Sequence, residues 1–261
     1  MMRMGKPLLL AVAVAAICAG PAGHATAAPA RHAAEPYMTG IWEIYPDPFA
    51  GDENTFKELP VPGDGPHLKE PYATQWKALR AERDAKLKAG TPLVDASTLC
   101  LPEGMPTIMG AIFPLEFLQT KGRLTVLAEF LSQTRRIYLD RPMPPPNKLV
   151  PSYYGMSIGH WEGDALVVTT RGVKEDVRFF EIPHSGDMTI TERIRLTAPD
   201  MMEDQITIDD PKMLVEPYRF TYGYKRNDKY QIMEYYCDRE DPLFKVKPDG
   251  TIEMKSISEI K

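Results

Sequence analysis

The sequence predicts a mainly β chain: an antiparallel meander closing into a barrel of about 8–10 strands, with one surface helix over about 72–89. Three observations carry this prediction. In "RLTVLAEF" the apolar residues recur with period two, so that Leu124, Val126, Ala128 and Phe130 share one face. Further strand-like runs follow one another across turns with no helix between them, the pattern of antiparallel neighbours. The chain also carries 25 prolines, which argue against a helical bundle. So many short strands must cover their edges, and closure into a barrel does so.

Taken in order, the chain opens with Arg3 and Lys6, the apolar run "PLLLAVAVAAICA" and the small-residue site Ala25-Thr26-Ala27. These are the parts of a signal peptide over residues 1–27, cleaved after Ala27, and they place the protein in the periplasm or outside the cell. The apolar run falls short of the ~20 residues a membrane helix needs, and no later segment supplies an integral membrane span. Ile17 stands before Cys18 where a lipid-anchor motif requires a small residue. Residues 28–37 read as a disordered lead-in, and 38–261 as one barrel domain. Within that domain "TGIWEIYP" is the first strand, and 46–99 is an insertion of Pro-rich loop and helix. Pro71 opens the helix, Gly90 ends it, and Tyr72, Trp76, Leu79 and Leu87 lie near helical spacing.

Later strands are expected at "TRRIYLD", "YGMSIGHW", "ALVVTTRG", "DMTITERIRL", "QITIDD", "YRFTYGYKR" and "YQIMEYYC". Between the first two, "RPMPPPNKLVP" is an extended loop without ladder donors. The tail after Pro242 reads as a peripheral hairpin.

Removing residues 1–27 takes away two basic residues and no acid, moving the net charge from -5 to -7. With no basic run, nucleic acid and anionic membranes are excluded as partners. Cys100 and Cys237 remain, either joined or as two free thiols. In an exported protein the joined form is expected, and closing so long a loop stabilises by ~4–5 kcal/mol in the chain-entropy model. No C-x-x-C or H-x-x-x-H pair accompanies them, so no metal site is expected. No phosphate loop, haem attachment or dinucleotide fingerprint is present, so no cofactor is expected either.

"GHWEGDALVV" sets His160, Glu162 and Asp164 at alternating positions. Gly163 supplies the positive φ of a tight turn, so the stretch reads as a hairpin with Glu162 and Asp164 at a solvated tip. His160 is then a packed or half-buried strand residue, or a contributor to a ligand site.

Candidate chemistry centres on Glu192. In "MTITERIRL" it shares a face with Met188, Ile190, Ile194 and Leu196, while Thr189, Thr191, Arg193 and Arg195 form the other. The period therefore points Glu192 inward, where an unpaired carboxylate is costly. Either Arg136 and Tyr138 partner it across the interior, or it serves as an acid–base group or ligand anchor. His184, in the loop "EIPHSGD" entering that strand, is the second acid–base candidate, placed at the barrel mouth. Tyr222 and Tyr224 belong to the aromatic strands, which either fill the core or line a cavity.

"HWEGDALVVTT", "IPHSGDMTITERIRL" and "QITIDDPK" resemble a large group of uncharacterised exported proteins from proteobacteria and acidobacteria. Its members carry W-E-G-D-x-L-V-V, P-H-S, and T-E-R followed by a T-I-D-D-P-like element. The resemblance runs from about Cys100 to Cys237 and brings no activity with it. This chain has "TTRGV" where many of them have D-T-x-G-F. "TGIWEI" is also similar to the G-x-W of lipocalins and other calycins, which implies a barrel holding one small apolar ligand. Three readings follow: a binding barrel for a small aromatic or terpenoid-like molecule, a cofactor-independent lyase, isomerase or hydrolase using Glu192 and His184, or an interaction protein with a filled core.

Overall fold

The computed structural model describes residues 36–48, 61–237 and 244–254. The expected signal peptide (1–27), most of the expected lead-in and residues 49–60 of the Pro-rich loop lie outside the described residues. Nine strands close into a barrel in chain order: β1 (Gly40–Ile44), β2 (Leu115–Thr120), β3 (Arg123–Ala128), β4 (Gln133–Leu139), β5 (Met156–Glu162), β6 (Ala165–Arg171), β7 (Thr189–Ala198), β8 (Met201–Asp209) and β9 (Tyr218–Arg226). β9 returns to β1 with Trp42 opposite Arg226, so no edge is left open.

The barrel departs from a simple meander once. β4 and β5 pair in parallel, Ile137 opposite Ser157, whereas the other neighbours are antiparallel. A parallel pair needs a crossover running the length of the strands. Residues 140–155 provide it, and their prolines make the return segment stiff and unable to compete for ladder positions. β2, "LEFLQT", was not among the expected strands. Its outward Leu118 breaks the apolar–polar alternation, although Leu115 and Phe117 face inward as alternation requires.

The expected last strand, "YQIMEYYC", is not a strand. Residues 227–237 form an irregular strap running from the end of β9 back past the end of β3. Closure of β9 on β1 has already consumed the edge a tenth strand would need. Glu129 holds the strap instead, accepting from the Tyr230 hydroxyl (2.8 and 2.9 Å) and the Met233 amide (2.9 Å). Tyr235 packs edge-on against Phe113 and Phe130, and Cys237 is joined to Cys100. Beyond it, β10 (Phe244–Val246) and β11 (Ile252–Met254) make the expected tail hairpin.

One end of the barrel has short turns. The other is covered by the β1–β2 insertion, including α1 (Tyr72–Lys88) and a 3-10 turn at Thr107–Gly110, together with loop 172–188. Met105, Ile108 and Met109 are fully buried there and stopper the barrel. Each such side chain contributes roughly 1.5–3 kcal/mol of burial. No residue of α1 is fully buried, but Tyr72, Ala73 and Trp76 pack on the core, so it is a surface helix.

Cys237→Ser should release the strap and lower stability by about 2–5 kcal/mol, the range for losing a native disulfide. Urea unfolding of oxidised wild type and variant measures this; equal midpoints would show that the bridge constrains nothing.

Candidate functional site

At the waist of the barrel the inward positions turn polar. Arg135 of β4 and Glu192 of β7 have no accessible surface, and they meet in a bidentate ion pair. Arg135 Nη1 donates to Glu192 Oε1 at 2.7 Å, and Nη2 donates to Oε2. Nη2 also reaches Thr170 Oγ1 (3.2 Å) and Ser157 Oγ (3.3 Å), which bond to each other at 2.8 Å. A planar guanidinium matches a carboxylate in this fork geometry, so each charge is compensated where water cannot reach.

Glu192 thus faces inward as the period requires, but its partner is not Arg136. Arg136 is exposed, and Tyr138 lies outside under the Arg141 guanidinium, 5.1 Å from the ring centre. Ile137 and Leu139 take the interior face of β4, and period two carries Arg135 with them. Reading the strand one residue out of step exchanged its faces.

Asp204 of β8 completes the cluster. It is fully buried, and its carboxyl lies against that of Glu192 with no other described donor at either oxygen. Burial first, and the charge of Glu192 second, push its carboxyl well above the usual carboxylate range, against the opposing pull of Arg135. The folded interior therefore holds one compensated ion pair and, beside it, a carboxyl whose ionised form burial and the Glu192 charge disfavour. The sequence signal was available: Asp204 alternates with Met202, Ile206 and Ile208.

No water-sized sphere touches Arg135, Glu192, Asp204, Ile190, Ile194 or Tyr224, so the waist is filled. Tyr222 and Tyr224 do point inward, but as packing. The Tyr224 hydroxyl donates to the Met109 carbonyl (2.7 Å), pinning the stopper, and the Tyr222 hydroxyl lies where a Cβ on Gly110 would sit. His160 is exposed rather than packed. It lies on the outer face of β5 and donates to Glu162 at 3.0 Å, so these two do share a face. Glu162 and Asp164 are exposed beside the Gly163 turn, as a hairpin tip demands.

His184 is buried at the stoppered end. Its Nε2 meets the Val177 carbonyl (2.8 Å) and its Nδ1 faces the Ser185 carbonyl (3.2 Å). The neighbouring Ser185 hydroxyl donates to Asp210 (2.9 Å), so histidine and serine have separate partners. The void beside His184 measures about 20 Å³, roughly one water's worth, and Glu192 does not border it. The structure does not bring Glu192 and His184 to one ligand-sized space.

A space of about 700 Å³ lies elsewhere, outside the barrel at that end. α1, residues 93–103, loop 176–181 and Gly250 of the tail hairpin surround it. Its lining is largely apolar, with Leu93, Val94, Leu99, Leu101, Val177 and Phe180. Within it stands Glu103, a half-buried residue whose carboxyl makes no hydrogen bond or ion pair among the described residues. Burial first, then the charge of Asp95, push this carboxyl up to about 7. Asp95 itself is also raised by burial, yet hydrogen bonds from Thr98 and Ser97 and the Arg83 charge hold it below the usual range.

The backbone around Glu103 is firmly placed. Its amide donates to Gln133 Oε1 (3.0 Å) at the start of β4, and the Tyr154 hydroxyl donates to the same oxygen. Next to it, Gly104 has φ +74°, and a Cβ there would sit 2.5 Å from the Tyr153 carbonyl and 2.8 Å from Val177. The opposite wall is a tight turn in which Phe180 and Glu181 have φ of 51° and 58°. Such conformations cost ~1–3 kcal/mol each for non-glycine residues. α1 holds them in place: Trp76 Nε1 donates to the Phe180 carbonyl (2.9 Å), and Arg80 and Arg83 pair with Glu181 at 2.8 and 2.9 Å. Nothing in the sequence marks Glu103, because "CLPEGMP" lies in a loop with no period to assign its direction.

Fold and site together define a closed nine-stranded β-barrel with a packed interior and a lateral groove at its stoppered end. No protein-family model and no curated protein matches the chain. Among solved structures, the fluorescent protein UnaG is similar over 73% of this chain and 97% of its own, with 13% identity and a TM-score of 0.30. Closure of the barrel rests on the strand pairing itself.

Glu192→Gln should cost about 3–5 kcal/mol by leaving Arg135 buried without its counter-charge. Arg135→Met combined with Glu192→Met should recover much of that loss in thermal melts; a double variant no better than the single one would refute the pairing. Asp204 carries a pH dependence of its own. Its carboxyl is held above the usual range only in the folded state, so its contribution is full below the ordinary carboxylate pKa of ~3.9 and declines as pH rises above it. Asp204→Asn should flatten that decline, as read from urea midpoints between pH 5 and 8.

Proposed function

We propose that this is an exported β-barrel protein that binds a small, largely apolar molecule, and that it does so in the lateral groove rather than inside the barrel. The observation that carries this reading is the groove itself. It has about 700 Å³ of space, a largely apolar lining and a half-buried carboxyl, Glu103, that no described residue partners. Ligand sites commonly enclose ~300–1,000 Å³ and combine apolar walls with a few placed polar groups. Export is supported by the signal-like residues 1–27 and by the Cys100–Cys237 bridge, which belongs to oxidising compartments. The resemblance to exported bacterial proteins agrees with that location.

One observation favours a second reading. The filled waist leaves the barrel interior unable to hold a ligand, as in a protein whose role is to present its surface to a partner. Native mass spectrometry of protein purified from its host distinguishes the two. A bound molecule lost in Leu101→Trp, which fills the groove, is the expected result for the binder. A mature chain beginning at Ala28 is expected in the same spectrum. Wild-type protein that carries no molecule and takes up none from host extract would favour the interaction protein.

A further inference from the structure

We propose that the groove selects amphiphilic organic cations, seating an ammonium group against Glu103 and an aryl or alkyl body against Leu101, Val94 and Phe180. This inference rests on the groove being the binding site.

The charges around the groove leave Glu103 as the group in need of a counter-ion. Arg80 and Arg83, from α1, face Glu181, and Arg83 also lies 4.0 Å from Asp95. Arg178 donates to the carbonyl of Glu175 in its own loop. Asp95 is engaged by Ser97 and Thr98 (2.7–2.9 Å), and Asp176 completes the acidic residues of the lining. With every group ionised, the lining holds three arginines against four carboxylates, a surplus of one negative charge. Asp176 is exposed to water, so Glu103 is the half-buried carboxylate of the lining that no described cation or donor meets. Tyr154 stands close by, but its hydroxyl is turned to Gln133.

An ammonium placed there would gain charge-assisted hydrogen bonds in a half-desolvated setting. A neutral alcohol would gain an ordinary hydrogen bond, and a carboxylate would be repelled by Glu103 and Asp95. A proton must leave Glu103 for the ion pair to form. Because burial and Asp95 hold this carboxyl near 7, cation binding should weaken as pH falls below that value, while binding of a neutral analogue should not. No histidine lines the groove to mimic this dependence.

The test uses the full-length oxidised protein and three matched probes: 4-phenylbutylamine, 4-phenylbutan-1-ol and 4-phenylbutanoate. Affinities are measured by ligand-observed NMR at pH 5.5 and 8. The amine should bind at least about tenfold tighter than the alcohol at pH 8, the scale of a charge-assisted over a neutral hydrogen bond, and lose most of that preference at pH 5.5. Glu103→Gln should erase the preference and leave alcohol affinity within about twofold; the pH comparison on wild type gives the same readout without a variant. Equal binding of amine and alcohol, a preference that survives in Glu103→Gln, or tightest binding of the carboxylate would overturn the cation assignment while leaving the groove as a site. If none of the probes binds, or if Leu101→Trp binds them unchanged, the groove reading fails and this inference fails with it.

Discussion

The bidentate contact between Arg135 and Glu192 governs how this barrel is built. Two charges cannot be buried at the waist unless each meets the other in good geometry and water is excluded from both. Ser157 and Thr170 satisfy further positions on the guanidinium, and the side chains above and below close off the solvent. A second carboxyl, Asp204, lies in the same layer, where burial and the Glu192 charge favour its protonated form. Whether this cluster stabilises the fold more than apolar residues would is a separate matter from what it does to the interior. It fixes four strands, β4, β5, β6 and β7, to one another, and the barrel is packed at that level.

That constraint moves any binding capacity outward. The long β1–β2 insertion stoppers one end through Met105, Ile108 and Met109, and the Tyr224 hydroxyl ties the stopper to the barrel wall. Around the stopper, α1 grips loop 176–181, and the groove is the space that these two, residues 93–103 and the tail hairpin surround. Its walls come from segments far apart in the chain. The disulfide and the Glu129 socket bring the strap to this end, and α1 clamps a turn whose backbone would not adopt its conformation alone. A rigid barrel with an assembled rim is the common arrangement for placing binding groups on loops.

Much of the barrel was legible because period-two alternation is a property of neighbouring residues. It identified β1, β3 to β9 and the inward direction of Glu192, and turn chemistry identified the Gly163 hairpin. In β4 the apolar Ile137 and Leu139 decide which face is buried, and they put Arg135 inside rather than Arg136. "YQIMEYYC" has strand composition, but whether a strand finds an edge depends on the rest of the sheet. The parallel β4–β5 pair likewise depends on where the proline-rich return segment leads.

By itself, the sequence determined a β-rich chain with export-like features, a helix opened by Pro71, two cysteines available to pair, and a carboxylate directed inward on β7. These follow from local sterics, periodicity and composition. Only the tertiary structure decided that Glu192 belongs to Arg135, that Asp204 lies beside them, that His184 is sealed from Glu192, and that Glu103 stands unpartnered in a groove. Each of these depends on contacts between residues dozens of positions apart. Local period can give the direction of a side chain, but its partner across the barrel and the volume of a cavity are properties of the packed arrangement.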